Sequence, residues 1–251
     1  MIILLKTVKF LTFICEWDLV GITYMPKTTI LLVDSSIELM PSNLTNNEII
    51  KRHAKKRGKQ PSTVILDSSY HHKAMVKIPD SKKRGRPDIL HFCLQNLIGS
   101  PLVRSNPGSI EIYVHTINNQ ILKINPETRL PKNFNRFIGL MEQVFSKKVI
   151  KSNEKTLIEM IENTSIEELI GDIPKENRLI FSSKGSLIKL PEYFIDYAKK
   201  DLVLIIGAFP HGSFSEKILR TSNKILSIYP QSIEAWVVLN RVIFSREIAM
   251  L

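Results

Sequence analysis

Four short runs of apolar and β-branched residues punctuate the chain: TILLVDSS (29–36), STVILDSS (62–69), GSIEIYVHT (108–116) and LVLIIGAFP (202–210). Three of them are apolar without alternation, as in strands buried on both faces, and residues 108–116 alternate in part. Helical spacing takes over between them. DILHFCLQNLIG (88–99) suits a helix with Asp88 in its first turn, where an acid meets the positive end of the dipole. NFNRFIGLMEQVF (133–145) and SIEAWVVLNRVIFSRE (232–247) have the periodicity of longer helices. Thr45 and Glu48 are spaced as a capping box opening a helix that Pro61 must end. QILKINPETRLP (120–131) reads as a strand, an Asn-Pro turn and a loop. Ser165 and Glu168 form a second capping box inside a Glu- and Lys-rich stretch, 151–178, expected to be a helical connector. After the strand at 202–207 come a glycine-bounded loop, a helix capped by Ser213 and Glu216, and the short strand ILSIYP (225–230). Strands alternating with helices predict an α/β fold with a mainly parallel sheet.

Composition narrows the function more than the fold. A chain of 251 residues, 43% hydrophobic, buries a substantial core, and a formal net charge of +11 favours a polyanionic partner. Cys15 and Cys93 are the only cysteines, too few for a disulfide framework or a four-thiolate zinc site, which fits a reducing compartment. No run approaches the roughly 20 apolar residues that span a bilayer. Neither a Walker phosphate loop, a G-x-G-x-x-G nor an H-E-x-x-H motif occurs. The apolar leader MIILLKTVKFLTFICEW (1–17) is broken by Lys6 and Lys9 and lacks a small-residue cleavage site. Residues 1–24 are therefore expected to be an extension ahead of a start at Met25, with 25–251 as a single domain.

The candidate chemistry lies in a few short segments. In KKRGRPDILHF (82–92), Pro87 fixes its own φ and pushes Arg86 toward an extended conformation, so Arg86 and Asp88 flank a rigid elbow. A carboxylate there holds a guanidinium in one geometry, and a held arginine suits phosphate or a polarised base oxygen. The competing reading is an exposed ion pair of little worth. Arg129, Lys132 and Arg136 recur at roughly helical spacing. With Lys51, Arg52, Lys55, Lys56, Lys59 and residues 82–86 they form either a continuous electropositive track or an ordinary solvated face. GAFPHG (207–212), between a strand and a helix, is either a loop that admits a ligand to its backbone amides or a tight turn. The same alternatives hold for SIYPQS (227–232). His71 and His72, near Asp67, point different ways on any regular element and lack a third close ligand; no metal is expected. His91 and His115 read as satisfied core histidines, Trp236 as a core residue and Trp17 as part of the leader.

RGRPDILHFCLQNLIGSPL, IYVHTINNQILKINPETRLPKNFNRFIGLMEQ and IIGAFPHG resemble, in order, the nucleolar essential protein (Emg) family of ribosome-biogenesis methyltransferases, in its compact archaeal form. The likeness runs from Ile30 to Glu247. It implies a SPOUT-class α/β methyltransferase fold with a parallel sheet, a C-terminal trefoil knot over about 179–251, and basic RNA-binding insertions at about 44–61 and 125–178. It further implies a homodimer in the cytoplasm. S-adenosyl-L-methionine is the implied cofactor. The family's cofactor positions match Ser182, Gly207, Gly212 and the loop Leu226, Ser227, Ile228, Tyr229, Pro230 and Gln231, where Gln231 replaces a more usual leucine. Arg86 matches the arginine that contacts the base, Asp88 the acid that orients it, and Arg129, Lys132 and Arg136 the RNA-binding positions. Lys132 stands for a frequent arginine, keeping the charge but not the fork.

The activity so implied is N(1)-methylation of a pseudouridine in a hairpin loop of small-subunit ribosomal RNA, with Arg86 and Asp88 catalytic. A small-subunit ribosomal protein is a further implied partner. Two other readings compete: a non-catalytic rRNA-binding assembly factor, and a SPOUT enzyme acting on transfer RNA, which fits the fold but not the RPD and PETRLP motifs.

Overall fold

A computed structural model describes residues 25–251. The leader, with Cys15 and Trp17, lies outside the described residues. The first strand, β1 (Thr28–Ser35), is buried along its whole length, as its unbroken apolar run requires. It is the middle of a sheet completed by β2 (Ile110–Thr116), β3 (Ile121–Ile124), β4 (Val149–Ser152), β5 (Lys155–Ile161), β6 (Arg178–Leu187), β7 (Leu202–Gly207) and β8 (Lys224–Ser227). The order is β4-β5-β3-β2-β1-β7-β6-β8. Strands β2, β1, β7, β6 and β8 run parallel, and β3, β5 and β4 extend one edge antiparallel.

The helices are α1 (Glu48–Lys56), α2 (Ser68–Met75), α3 (Pro87–Gly99), α4 (Pro101–Ser105), α5 (Phe134–Lys147), α6 (Ile166–Leu169), α7 (Glu192–Ile195), α8 (Glu216–Arg220) and α9 (Ala235–Met250). Alternate residues of the central strands feed different cores. Ile30, Leu32, Leu202, Leu204 and Ile206 pack on one face against Leu90 and Leu94 of α3, Phe137 and Met141 of α5, and Leu239 of α9. Leu31, Val33, Val203 and Ile205 pack on the other against Ile166 and Ile218. A small satellite core, among it Met40, Leu44, Ile50, Val64 and Met75, supports the basic helix α1.

The structure corrects several local expectations. Residues 62–69 form no strand: a 3-10 turn covers Pro61–Thr63, then an extended run makes one bridge, Leu39 to Ile65. The Ile65 N–H donates to the Glu142 carboxylate at 3.1 Å instead of to a ladder partner. The stretch 151–178 is not a helical connector. It holds a β-hairpin, β4–β5, turning at Asn153 with φ 52°, and only the short α6 keeps its capping box. Its density of charge suits an edge hairpin, where lysines discourage further pairing. Helix α1 is capped by Asn47, which accepts from the Ile49 N–H at 2.9 Å, while Thr45 Oγ1 donates to the Ser42 carbonyl. Helix α8 starts at Glu216, with its preceding Ser215 committed elsewhere, as described below.

Candidate active site

A cleft of about 260 Å³ opens at the carboxyl ends of β6, β7 and β8, the edge where open α/β sheets place ligands. Ser182, Gly207, Gly212, Leu226, Ser227, Ile228, Tyr229 and Gln231 line it; Pro230 bends the loop but is not part of the wall. The three strand ends and their loops make the cleft. Gly212 has φ 102°, a backbone that a side chain rarely tolerates. At the floor, Phe181 and Ser186 of β6 both register with Leu226, so the residues between them arch away and return. A Cβ on Gly185 would stand 2.5 Å from the Ile225 backbone, so this crossing requires glycine. The Ile188 N–H donates to the Ser227 carbonyl at 2.8 Å and Ser227 Oγ to the Tyr229 carbonyl at 2.7 Å, which fixes the last loop. Phe209, Ile233 and Val238 give the cleft apolar surface, and Ser213 and Lys184 give it polar surface. Backbone amides beside an apolar slot suit an aromatic nucleoside carrying a polar tail. The geometry therefore fits S-adenosylmethionine.

The arginine–acid pair forms as its sequence predicts, although Arg86, at φ −125° and ψ 62°, is not extended as expected. Arg86 ends its loop in a non-helical conformation, Pro87 occupies the first position of α3, and Asp88 lies in the first turn. Arg86 Nε and one terminal nitrogen donate to the two Asp88 oxygens at 2.8 and 2.7 Å, a bidentate pair. The hydrogen bonds from Arg86 to Asp88 raise the guanidinium pKa further, so it is charged at every physiological pH. Both side chains remain about one-third exposed, open to a ligand.

Arg129, Lys132 and Arg136 are all exposed. They are tied to the same helix: His91 Nε2 and Gln95 Nε2 in α3 donate to the Pro131 carbonyl at 2.8 and 2.9 Å. The His91 ring stacks on Phe137 of α5 at 4.3 Å between centroids. Helix α3 thus starts with the held arginine and, a turn later, grips the segment carrying the other three basic groups. The His91 expectation holds, with a polar tip that has a role.

The basic track is shorter than the sequence suggests. Lys51, Arg52, Lys55 and Lys56 are exposed on α1. Lys59 lies beyond that helix and turns inward with Arg57 to the buried Glu142. Lys83 and Arg84 also turn inward. Arg84 makes a bidentate pair with the buried Glu38, at 2.7 and 2.5 Å, and Lys83 Nζ donates to Asp34 at 2.8 Å. Asp34, Ser36 and Glu38 were not singled out by their sequence. The only signal is the polar residue at every second position from the end of β1 onward, in DSSIEL, each facing one loop.

The other groups behave as structural parts. His71 accepts from the Asp67 N–H and hydrogen-bonds His53 at 2.7 Å, and burial pulls its pKa to about 4. His115 is buried between the Asp34 N–H and Asn119. Burial pushes the Cys93 thiol to about 12, so it is inert. Trp236 is only half-buried and packs against Phe92 at 5.2 Å between centroids.

Residues 30–247 match the sequence model of a family described as EMG1/NEP1 methyltransferase. The chain is 40% identical over 229 residues to the ribosomal RNA small subunit methyltransferase Nep1 of Thermococcus sibiricus, covering 88% of this chain and 98% of that protein. It is likewise 40% identical over 214 residues to the Nep1 of Saccharolobus solfataricus, covering 85% and 93%. The crystal structure of Archaeoglobus fulgidus Nep1 bound to S-adenosylhomocysteine superposes with a TM-score of 0.79 at 36% identity, covering 90% of this chain and 99% of that one.

Proposed function

The chain belongs to the EMG1/NEP1 methyltransferase family, and from that premise we propose that it methylates N(1) of a pseudouridine in small-subunit ribosomal RNA, using S-adenosylmethionine. One observation carries the reading: the cleft of β6–β8 and the arginine elbow hang on the same residue. The Ser36 N–H donates to the Ala208 carbonyl at 2.9 Å, and the Arg86 N–H to Ser36 Oγ at 2.9 Å. The loops that suit the cofactor and the arginine that suits a base are therefore fixed to one another.

In this reading the bound cofactor supplies an electrophilic methyl group on its sulfonium. The protein's task is to present the base nitrogen in line with that methyl and to stabilise charge as the nitrogen loses its proton. Pseudouridine joins its ring to the sugar through carbon, which leaves an N(1)–H that uridine lacks. Arg86, aimed by Asp88, offers its charge to the base oxygen on which negative charge develops, an electrostatic role. Alignment of the two reactants supplies much of the remaining acceleration. Arg129, Lys132 and Arg136, with the exposed face of α1, hold phosphates flanking a nucleotide turned out of a hairpin loop.

Two further expectations join this reading. The arch of Ser182–Gly185 over Ile225 and Leu226 supports the family's trefoil knot. Trp236, Phe244 and Ile248 recur at multiples of four on α9, and exposed Phe92 lies beside Trp236, an apolar surface that supports a homodimer. Among the described residues no helix is long and apolar enough to cross a membrane; the cytoplasm is the compartment proposed.

The test is methyl transfer from labelled S-adenosylmethionine to paired hairpins that differ only in pseudouridine or uridine at one loop position. Transfer to the pseudouridine hairpin alone is the expected result. Binding of both ligands without transfer would favour the assembly-factor reading instead.

A further inference from the structure

Asp34 stands at the carboxyl end of the central strand, only 3% exposed, with φ 49°, a left-handed conformation that aspartate adopts more readily than most residues other than glycine. Its carboxylate gathers the cofactor loop. Oδ2 accepts from the Ser215 N–H at 2.7 Å and Oδ1 from Ser215 Oγ at 3.0 Å. Oδ2 also receives the Lys83 ammonium at 2.8 Å. Lys83 Nζ then donates to the Ser213 carbonyl at 2.8 Å and lies 4.3 Å from the centre of the Phe209 ring. Phe209 and Ser213 are cleft walls, whereas Lys83 belongs to the loop that ends in Arg86. Neither loop packs in this way by local sequence; the contacts join residues 49 and 181 positions apart.

We infer that Asp34 and Lys83 are positioning residues that couple the cofactor loop to the arginine elbow, so that each ligand strengthens binding of the other. The inference rests on the cofactor and RNA reading above. A carboxylate that is almost wholly buried and holds three donors in place fixes its partners far more tightly than an exposed pair does. When a cofactor orders residues 207–215, Lys83 has its three partners in place, and the loop from 82 to 88 loses freedom that it would otherwise lose on binding RNA. Linkage makes the effect reciprocal, and couplings of this kind commonly amount to about 5- to 100-fold in affinity.

Calorimetry should measure S-adenosylhomocysteine affinity for the full chain with and without saturating pseudouridine hairpin. The wild type should bind at least about fivefold more tightly with the hairpin present. Asp34→Asn keeps the shape and tolerates the left-handed backbone, while Lys83→Met keeps the stem and removes the ammonium. Either should cut the coupling factor to below about 2 and raise KM for the methyl donor by more than it lowers kcat. Since both act through one contact, the double variant should lose no more than the larger single loss. Should Asp34→Asn fail to fold, Lys83→Met decides. A lowered melting temperature with an undiminished coupling factor would show a structural role only and overturn the inference. So would additive losses in the double variant, or a wild type that binds S-adenosylhomocysteine equally well with and without hairpin. A wild type that does not bind S-adenosylhomocysteine at all would instead overturn the reading of the cleft, and this inference with it.

Discussion

Replacing Asp88 by asparagine separates aim from fold. The amide keeps the shape of the carboxylate but faces the guanidinium with one acceptor and one donor, so the bidentate pair at 2.7 and 2.8 Å is lost along with the charge. With the two side chains 38% and 31% exposed, the pair stabilises the fold by at most about 1 kcal/mol. In a domain of this size that is a melting shift of roughly 2–4 °C. The cost to the reaction is of another order. A donor withdrawn from developing charge lowers turnover about 100-fold or more, equivalent to roughly 3 kcal/mol of activation free energy. The assay is single-turnover methyl transfer to the pseudouridine hairpin, run beside thermal melting and hairpin affinity. Arg86→Lys should do no better than Asp88→Asn, because an ammonium cannot replace the fork. Undiminished transfer by Asp88→Asn would refute the reasoning. A melting loss above about 8 °C would refute it as well, because Asp88 would then be acting on the fold.

Other parts of the structure give sharper stability expectations. Gly185→Ala places a methyl group 2.5 Å from the Ile225 backbone, with no flexible side chain to move aside, and should cost about 3 kcal/mol, measured by denaturant titration. Glu142→Gln leaves Arg57 and Lys59 without their buried carboxylate and should cost roughly 3 kcal/mol; a loss below about 1 kcal/mol would mean that residues 57–65 are held by packing alone. His71 has its pKa lowered from 6.5 to about 4, so the unfolded chain takes up a proton that the folded chain refuses. Stability is full above about pH 6.5 and declines toward pH 4 by up to about 3 kcal/mol. His71→Gln should flatten that acid limb of a melting profile; an unchanged limb would assign it to other groups.

Periodicity made the central strands, the long helices and the elbow before α3 legible, because each is decided by residues a few positions apart. Capping was less legible. Thr45 and Glu48 had the right spacing, but the helix starts two residues later, where Asn47 caps the Ile49 amide and Thr45 Oγ1 turns back to the Ser42 carbonyl. Ser213 lost its expected cap role because the next polar group, Ser215, is drawn to Asp34. In the hairpin at 149–161 a dense run of charge hid an alternation whose apolar members, Ile158 and Met160, are buried.

The family likeness already pointed to most of the loops that line the cleft and to the arginine with its acid, since these motifs lie in continuous segments. What no segment contained was the set of buried carboxylates. Asp34, Glu38 and Glu142 carry no signal of their own in the sequence, and Lys83, Arg84 and Lys59 read as parts of an electropositive track or a solvated face. The tertiary structure turned each toward the other, because burying a charge is costly unless an opposite charge arrives to meet it. Local sequence thus determined which elements form and where the chain is basic. Only the packing of distant segments decided which of those charges are left for a ligand and which are consumed in holding the site together.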